Sequence, residues 1–189
     1  MKTRKKATAK KVATKGKTKG KVKAKAHPKK KAARPKKVSP IPEGASTLTP
    51  YVVVRNGKEA IEFYKKALGA KEKYRIEGPD GSIGHCELKI GDSMLMLADE
   101  APEYGARGPE SIGGTPVCLH IYSKDVDKAV AVAVAAGMKE LRPVSNEFYG
   151  ERLGKFMDPY GHIWSISSRI EILTPKEMRK RAEQMFGGD

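Results

Sequence analysis

The hydrophobic positions of residues 48–98 follow a strand pattern, then a helical pattern, then strand patterns again. Val and Tyr are dense in 48–55, which is typical of a strand. Residues 58–68 place their apolar side chains on one helical stripe, and Gly69 follows as a stop signal. Turn residues divide the remainder into three predicted strands, at 71–77, 82–90 and 93–98. We therefore predict one β-α-β-β-β module.

The same order of patterns occurs a second time, between residues 116 and 168. A predicted strand at 117–122 precedes a predicted helix at 126–136, which has Asp125 as its N-cap and Gly137 at its end. Three further strands are predicted at 139–144, 151–156 and 162–167. A repeat of about 70 residues predicts an α+β fold in which two tandem βαβββ modules pair as half-barrels around a ligand cavity.

Three connecting segments complete the organisation of the predicted domain, which spans 48–188. Residues 39–47 contain two prolines and a glycine and are predicted to be a linker, and the Gly- and Pro-rich residues 99–115 link the two modules. A last helix is predicted at 175–186, because Thr174 and Glu177 have the spacing of a capping box.

Charge divides the chain at its first 38 residues. Residues 1–38 hold 18 of the 38 Lys and Arg residues and no acid, so 39–189 carry 38 − 18 = 20 bases against 22 acids. The formal net charge of +16 therefore belongs to a tail. The tail has no aromatic residue and little apolar surface to bury, so we predict that it is disordered.

The basic tail predicts a polyanionic partner. Neutralising phosphates releases counterions and gives affinity without reading base sequence. The tail has no aromatic residues to stack on single-stranded bases, which favours duplex DNA or structured RNA. A solubility extension and a contact with anionic lipid are the alternatives. The positions expected to contact nucleic acid include Lys5, Lys6, Lys10, Lys11, Lys29, Lys30, Lys31, Arg34, Lys36 and Lys37.

Composition also indicates the cellular compartment of the protein. No apolar stretch is long enough for a transmembrane helix, and the N-terminus has no apolar core of a secretory signal, so no membrane partner is expected. The only cysteines, Cys86 and Cys118, indicate a reducing environment rather than a disulfide framework. We predict a cytoplasmic protein that the tail could associate with the nucleoid.

Three motifs carry a family resemblance: AIEFYKKALGAKE at 60–72, PDGSIGHCELKIGDSMLML at 79–97 and FYGERLGKFMDPYGHIW at 148–164. Their order and spacing resemble the PhnB-like branch of the vicinal oxygen chelate superfamily, which includes glyoxalase I, bleomycin-resistance proteins and extradiol dioxygenases. The resemblance covers roughly the predicted domain, leaves the basic tail outside, and implies a small-molecule ligand and a homodimer.

The resemblance also implies where a metal would sit. Metalloenzymes of the superfamily hold a divalent ion with a His or Gln on the first strand of each module and a Glu on the last. The aligned positions here carry Thr49, Met96, Cys118 and Ser165, which do not form that site. We therefore predict no metal cofactor. The alternative is a divalent metal in a displaced site made by His85, Glu87 and His120.

Strand alternation selects the candidate catalytic residues. Cys86 and Leu88 belong to the set expected under the helix, which turns His85 and Glu87 to the opposite face. The same reasoning puts Cys118, His120 and Tyr122 on one face of the fifth strand. We expect His85, Glu87, Cys118 and His120 to converge from the two modules. The alternatives are a polar cavity wall and, for Cys118, a small hydrophobe.

Further residues are candidates for ligand binding rather than chemistry. Arg152 could hold an anionic or oxygen-rich ligand with its planar fork, and a surface salt bridge is the alternative. The full candidate set is Tyr51, Met96, Tyr122, Arg152 and Ser165.

These observations favour a small-molecule-binding protein without the standard metal site, tethered to nucleic acid by its tail. One alternative is a metal-dependent glyoxalase-like lyase, isomerase or dioxygenase. The other is a dimeric scaffold in which the tail alone acts on nucleic acid.

Overall fold

The computed structural model describes residues 38–187, so nearly all of the predicted tail lies outside the described part of the chain. Strands fill most of the two modules: β1 (Tyr51–Val54), β2 (Lys71–Glu77), β3 (Ile83–Ile90), β4 (Ser93–Asp99), β5 (Cys118–Tyr122), β6 (Lys139–Asn146), β7 (Glu151–Met157) and β8 (Ile163–Arg169). The helices are α1 (Gly57–Leu68), α2 (Pro109–Ile112), α3 (Val126–Ala136) and α4 (Pro175–Phe186).

The two sheets have the same topology. The first has the order β1-β4-β3-β2 and the second has the order β5-β8-β7-β6. The first strand of each module pairs in parallel with the last, and the other pairings are antiparallel. The predicted α+β fold with two βαβββ modules is confirmed.

The helices begin and end where the sequence signals lie. Gly69 adopts a left-handed conformation after α1, with φ of 63°. The carboxylate of Asp125 accepts a hydrogen bond from the backbone N–H of Lys128 and caps α3. Thr174 and Glu177 form the predicted capping box of α4. The link between modules holds a 3₁₀ turn and α2, which were not predicted.

Each module has one covered and one uncovered sheet face. Helix α1 buries Ile61 and Tyr64 against β-strand residues such as Cys86 and Leu88, all of which are fully buried. The opposite face, called the open face from here on, carries exposed aromatic residues; Tyr51 is 50% exposed and Tyr122 is 66% exposed. A half-covered sheet of this kind leaves one face free for a ligand or a partner.

The modules contact each other through α1 and α3 and through a buried carboxylate, Asp158, in the β7–β8 turn. Asp158 accepts hydrogen bonds from the Tyr64 hydroxyl and the Trp164 indole N–H, both at 2.8 Å. It also accepts from the backbone N–H groups of Tyr160 and His162, both at 2.9 Å. Since Tyr64 belongs to α1, this carboxylate joins the first module to the second.

Helix α4 follows the second sheet and contributes no buried residue. Arg181 holds it to the body of the protein through the carboxylate of Glu171, at 2.6 Å, and the carbonyl oxygen of Phe148. None of the described helices is long and apolar enough to cross a membrane.

Candidate ligand-binding face

Strand register decides which side chains share the open face. In the first module Tyr51 pairs with Met96, and Met96 pairs with Glu87, so these three residues lie side by side across β1, β4 and β3. In the second module His120 pairs with Ser165, and Tyr122 pairs with Ser167. Side chains of paired residues point to the same side of a sheet. Both open faces are therefore polar at their centres.

In the first module the polar open-face residues form the Tyr51 cluster, made of Tyr51, Tyr74, His85 and Glu87. The Tyr51 hydroxyl lies 3.2 Å from Nδ1 of His85, and Nε2 of His85 lies 3.7 Å from the Glu87 carboxylate. The ring of Tyr74 lies 5.6 Å from that of His85. Desolvation and the nearby Glu87 carboxylate raise the pKa of Tyr74, and burial raises the pKa of Tyr51.

In the second module the corresponding group is the Tyr122 cluster, made of His120, Tyr122, Glu151 and Ser167. Nε2 of His120 lies 2.8 Å from the Ser167 hydroxyl and 3.8 Å from the Glu151 carboxylate. The Tyr122 hydroxyl donates to Glu151 at 2.8 Å, and this hydrogen bond to a carboxylate raises the pKa of Tyr122. The two clusters thus contain the same three residue types, Tyr, His and Glu.

Two predicted residues lie beside these clusters. Sγ of Cys118 is 3.3 Å from the Ser165 hydroxyl, so these two candidate residues contact each other. Met96 lies under the linker, where it lines a small cavity of about 60 Å³ with Pro42, Gly44 and Glu87. The linker therefore covers part of the open face of the first module.

The expected convergence of His85 and Glu87 with Cys118 and His120 is not found in a single chain. Among residues 38–187, no hydrogen bond or ion pair joins the Tyr51 cluster to the Tyr122 cluster. The same described part of the chain holds no group of three His, Cys, Asp or Glu side chains that could bind a metal ion. His85, Glu87 and His120 are therefore not assembled into one site by this chain alone.

The donor set also differs from the one that the resemblance implies. Thr49 lies before β1 and donates to the carbonyl of Ser46, so the open-face residue of β1 is Tyr51. The central open-face residues of the first and last strands are then Tyr51, Met96, His120 and Ser165. One imidazole, one thioether and two hydroxyls do not match a His, Gln and Glu site for a divalent cation. The residues present do not fit that metal.

Arg152, a predicted ligand-binding residue, does not line the open face. Its Cα partner on β8 is Ser168, next to the open-face residue Ser167, so Arg152 points to the helix side. There the guanidinium donates to both carboxylate oxygens of Asp127, at 3.0 and 2.8 Å, and to Asn146 at 3.1 Å. The surface salt bridge, which was the alternative, is the arrangement observed.

Three members of the clusters were not among the residues predicted from the sequence. Glu151 is adjacent to Arg152, so alternation along β7 would have put it on the opposite face. Ser167 lies two residues after Ser165 on the same strand and is fully buried. Tyr74 pairs with Glu87 across β2 and β3. All three follow from strand register once the strand bounds are known.

These groups can bind and move protons. Phenol and imidazole groups both donate and accept hydrogen bonds, which suits a ligand rich in oxygen atoms. Each His ring uses one nitrogen in a hydrogen bond, Nδ1 of His85 with Tyr51 and Nε2 of His120 with Ser167, so the other nitrogen keeps capacity for a further partner. A His ring in contact with a carboxylate is also the usual composition of a general base.

Comparison with known proteins identifies related sequences. The family profile described as Glyoxalase/Bleomycin resistance protein/Dioxygenase superfamily matches residues 46–166. An uncharacterized protein of Mycobacterium tuberculosis is 36% identical over 135 residues, which cover 70% of this chain and 79% of the relative. The basic tail lies before the region that the profile matches.

Solved structures with the same fold include TioX from Micromonospora sp. ML1 and a gene product of Arabidopsis thaliana. TioX superposes with a TM-score of 0.52 at 20% identity, covering 67% of this chain and 100% of TioX. The Arabidopsis protein superposes with a TM-score of 0.53 at 26% identity, covering 65% of this chain and 98% of that one.

Proposed function

The chain belongs to the Glyoxalase/Bleomycin resistance protein/Dioxygenase superfamily, and we propose that it is a small-molecule-binding protein whose ligand contacts the Tyr51 and Tyr122 clusters. The single observation that carries this proposal is the composition of the two clusters, which place Tyr, His and Glu on both open faces. Such groups recognise oxygen-rich ligands by hydrogen bonds without a metal ion.

Binding to the open faces can be tested with small oxygen-rich probes, namely pyruvate, lactate and catechol. A probe that raises the melting temperature of the full chain should lose that effect in His85→Ala or His120→Ala. Arg152→Lys is the matched control, because Arg152 faces the helix side and pairs with Asp127. Equal loss in the control and the two His variants would contradict an open-face site.

The second candidate is a glyoxalase-like enzyme with a displaced metal site. It is favoured by the His–carboxylate pairs at 3.7 and 3.8 Å, one in each module. Elemental analysis of the purified full chain separates the two candidates. Stoichiometric Ni, Zn, Fe or Mn that disappears in the His85→Ala/His120→Ala double variant would establish the metalloenzyme and overturn the metal-free proposal.

We also propose that open faces of two chains meet in a homodimer. Tyr51, Tyr74, Ile76 and Tyr122 are each about half or more exposed, at 50%, 48%, 58% and 66%. Large apolar side chains exposed together mark an interaction surface more often than an isolated one does. Ile76→Glu should lower the mass measured by sedimentation, whereas Ile112→Glu, at a 59% exposed position on α2, should not.

For the basic tail we propose nonspecific association with nucleic acid, which would place a cytoplasmic protein on the nucleoid. Support comes from 18 positive charges and no acid in residues 1–38. If the tail contacts about six to ten phosphates, duplex affinity should fall about 10³- to 10⁵-fold between 50 and 200 mM salt. Replacing Lys29, Lys30, Lys31, Lys36 and Lys37 with Gln should reduce that salt slope. An unchanged slope would contradict this role and favour the alternatives for the tail, a solubility extension or a contact with anionic lipid.

A further inference from the structure

A groove of about 1090 Å³ runs along the outer edge of β5, where the two modules come together. The first module contributes the end of α1 and the β3–β4 turn, including Leu68 and Ile90. The second contributes β5 and the side of α3, including Leu119, Ile121 and Val132. The groove borders the open faces at Met94 in the first module and at His120 and Tyr122 in the second, and it shares only the last two residues with the clusters.

The groove has the size and the wall chemistry of a ligand site. Pockets for small molecules occupy about 300–1000 Å³ and are lined mainly by apolar side chains. Here Trp164 and Ile166, each 2% exposed, form part of the floor. Val132 remains 45% exposed on the wall. An apolar ligand would therefore remove exposed hydrophobic surface from water as it bound.

One rim of the groove carries positive charge that has no acidic partner. Lys124 and Lys128 both line it, and neither forms an ion pair within residues 38–187. Two acids also line the groove and keep their charge: Asp125 caps α3 by accepting from the backbone N–H of Lys128 at 3.0 Å, and Asp92 lies in the β3–β4 turn, where it accepts from the Ser93 hydroxyl at 3.0 Å. The place that favours an anionic ligand terminus is therefore local: it lies beside the ammonium groups of Lys124 and Lys128, near the N-terminal end of α3.

We propose that this groove binds an anionic amphiphile, with its hydrocarbon chain along β5 and its carboxylate between Lys124 and Lys128. The site does not depend on the proposed open-face ligand, because only His120 and Tyr122 are common to both. Apolar burial supplies most of the affinity, and the two lysines select the charge of the head group.

Trp164 is the only tryptophan of the chain and lies in the groove floor, so its fluorescence reports on the occupant directly. The probe is 11-bromoundecanoate, kept below its micellar range, because bromine quenches tryptophan on contact. The full chain should show saturable quenching that unlabelled dodecanoate reverses, with far-UV circular dichroism unchanged. Quenching that is absent or does not saturate overturns the proposal.

Two substitutions on α3 form a matched pair. Val132 and Val134 have nearly equal exposure, 45% and 44%, but only Val132 lines the groove. Val132→Glu should weaken quenching at least tenfold, because it puts a carboxylate on the apolar wall and beside the anionic ligand. Val134→Glu should leave quenching unchanged. Equal effects of the two substitutions would show that the probe binds elsewhere.

The head-group assignment has its own pair of variants. Lys124→Gln/Lys128→Gln should weaken the binding of 11-bromoundecanoate about fivefold, as expected for two ion pairs near the surface. The same variant should bind dodecanol, which has no charged head group, as well as the parent does. Lys176→Gln/Lys180→Gln removes the same charge from α4 and should have no effect, which controls for the loss of two positive charges as such. A different result would overturn the proposal: the probe does not bind the parent chain, and Val132→Glu lowers the mass measured by sedimentation. In that case a second copy of the chain, and not an amphiphile, fills the groove.

Discussion

Replacing Asp158 tests whether one buried carboxylate joins the two modules. The side chain is 2% exposed and accepts four hydrogen bonds, two of them from the buried side chains of Tyr64 and Trp164. Asp158→Ala removes all four acceptor contacts at once. Asp158→Asn keeps an oxygen for the two backbone N–H groups, but its amide hydrogens then face the Trp164 N–H, which can only donate.

The size of each effect follows from the donors left without a partner. A buried donor without an acceptor costs about 1–3 kcal/mol. The two buried side-chain donors alone give an expected loss of about 2–6 kcal/mol for Asp158→Ala. In Asp158→Asn mainly the Trp164 N–H is left without an acceptor, so a loss of about 1–3 kcal/mol in the free energy of unfolding is expected. Since domains are stable by only about 5–15 kcal/mol, the alanine variant should lose a large share of its folding free energy.

Urea unfolding followed by Trp164 fluorescence and far-UV circular dichroism measures these losses. The control is a double-mutant cycle with Tyr64→Phe, which removes one donor and leaves the ring. Tyr64→Phe should cost less in the Asp158→Ala background than in the parent, by at least about 1 kcal/mol. A loss below about 1 kcal/mol for Asp158→Ala, or strictly additive effects, would refute the assignment of this carboxylate as the link between modules.

Three further predictions concern backbone and titration. Burial raises the pKa of Tyr160 to about 12, against about 10 in the unfolded chain. The contribution of Tyr160 to stability is therefore complete below about pH 10 and is lost as the pH rises towards 12. Tyr160→Phe should reduce this loss of stability with rising pH, whereas the exposed Tyr104→Phe should not. Gly57→Ala would put Cβ 2.8 Å from the Cβ of Ile83, so about 1–3 kcal/mol should be lost in urea unfolding, with no comparable loss for the roomier Gly84→Ala. Thr174→Ala should lower the local stability of α4 by about 1 kcal/mol, measured as faster hydrogen exchange in that helix. The urea midpoint of the whole protein should not change, because α4 buries no residue. A shifted midpoint would contradict this prediction.

The elements could be predicted from sequence because their signals are local. Gly69, Asp125 and Thr174 act within one turn of the helix that they cap or end, and each is observed in the predicted role. Strand faces were equally accessible, since burial of Cys86 and Leu88 turns His85 and Glu87 to the open face. These features need no knowledge of the tertiary arrangement.

The site could be predicted only in part because it depends on contacts far apart in sequence. His85 and His120 each lie near a carboxylate of their own module. Strand alternation alone does not specify these neighbours. Strand starts mattered as well: β1 begins at Tyr51, so the aligned metal position at Thr49 falls outside the sheet. The side of Arg152 follows from strand parity, because Phe156 lies four residues along the same strand and is buried under the helix.

The difference between satisfied and unsatisfied polar groups separates structural residues from candidate functional ones. Asp158 is buried and uses both carboxylate oxygens in four short hydrogen bonds, so it has no capacity for a ligand. His85 and His120, in contrast, are only partly buried, and each uses one ring nitrogen in a hydrogen bond and leaves the other without one. A polar group with a free hydrogen-bonding atom can take a ligand as a partner at little cost, whereas breaking the Asp158 network would leave buried donors of both modules without an acceptor. The buried polar contacts of Asp158 therefore stabilise the fold under the helices, whereas the histidines of the open faces can still form hydrogen bonds with a ligand.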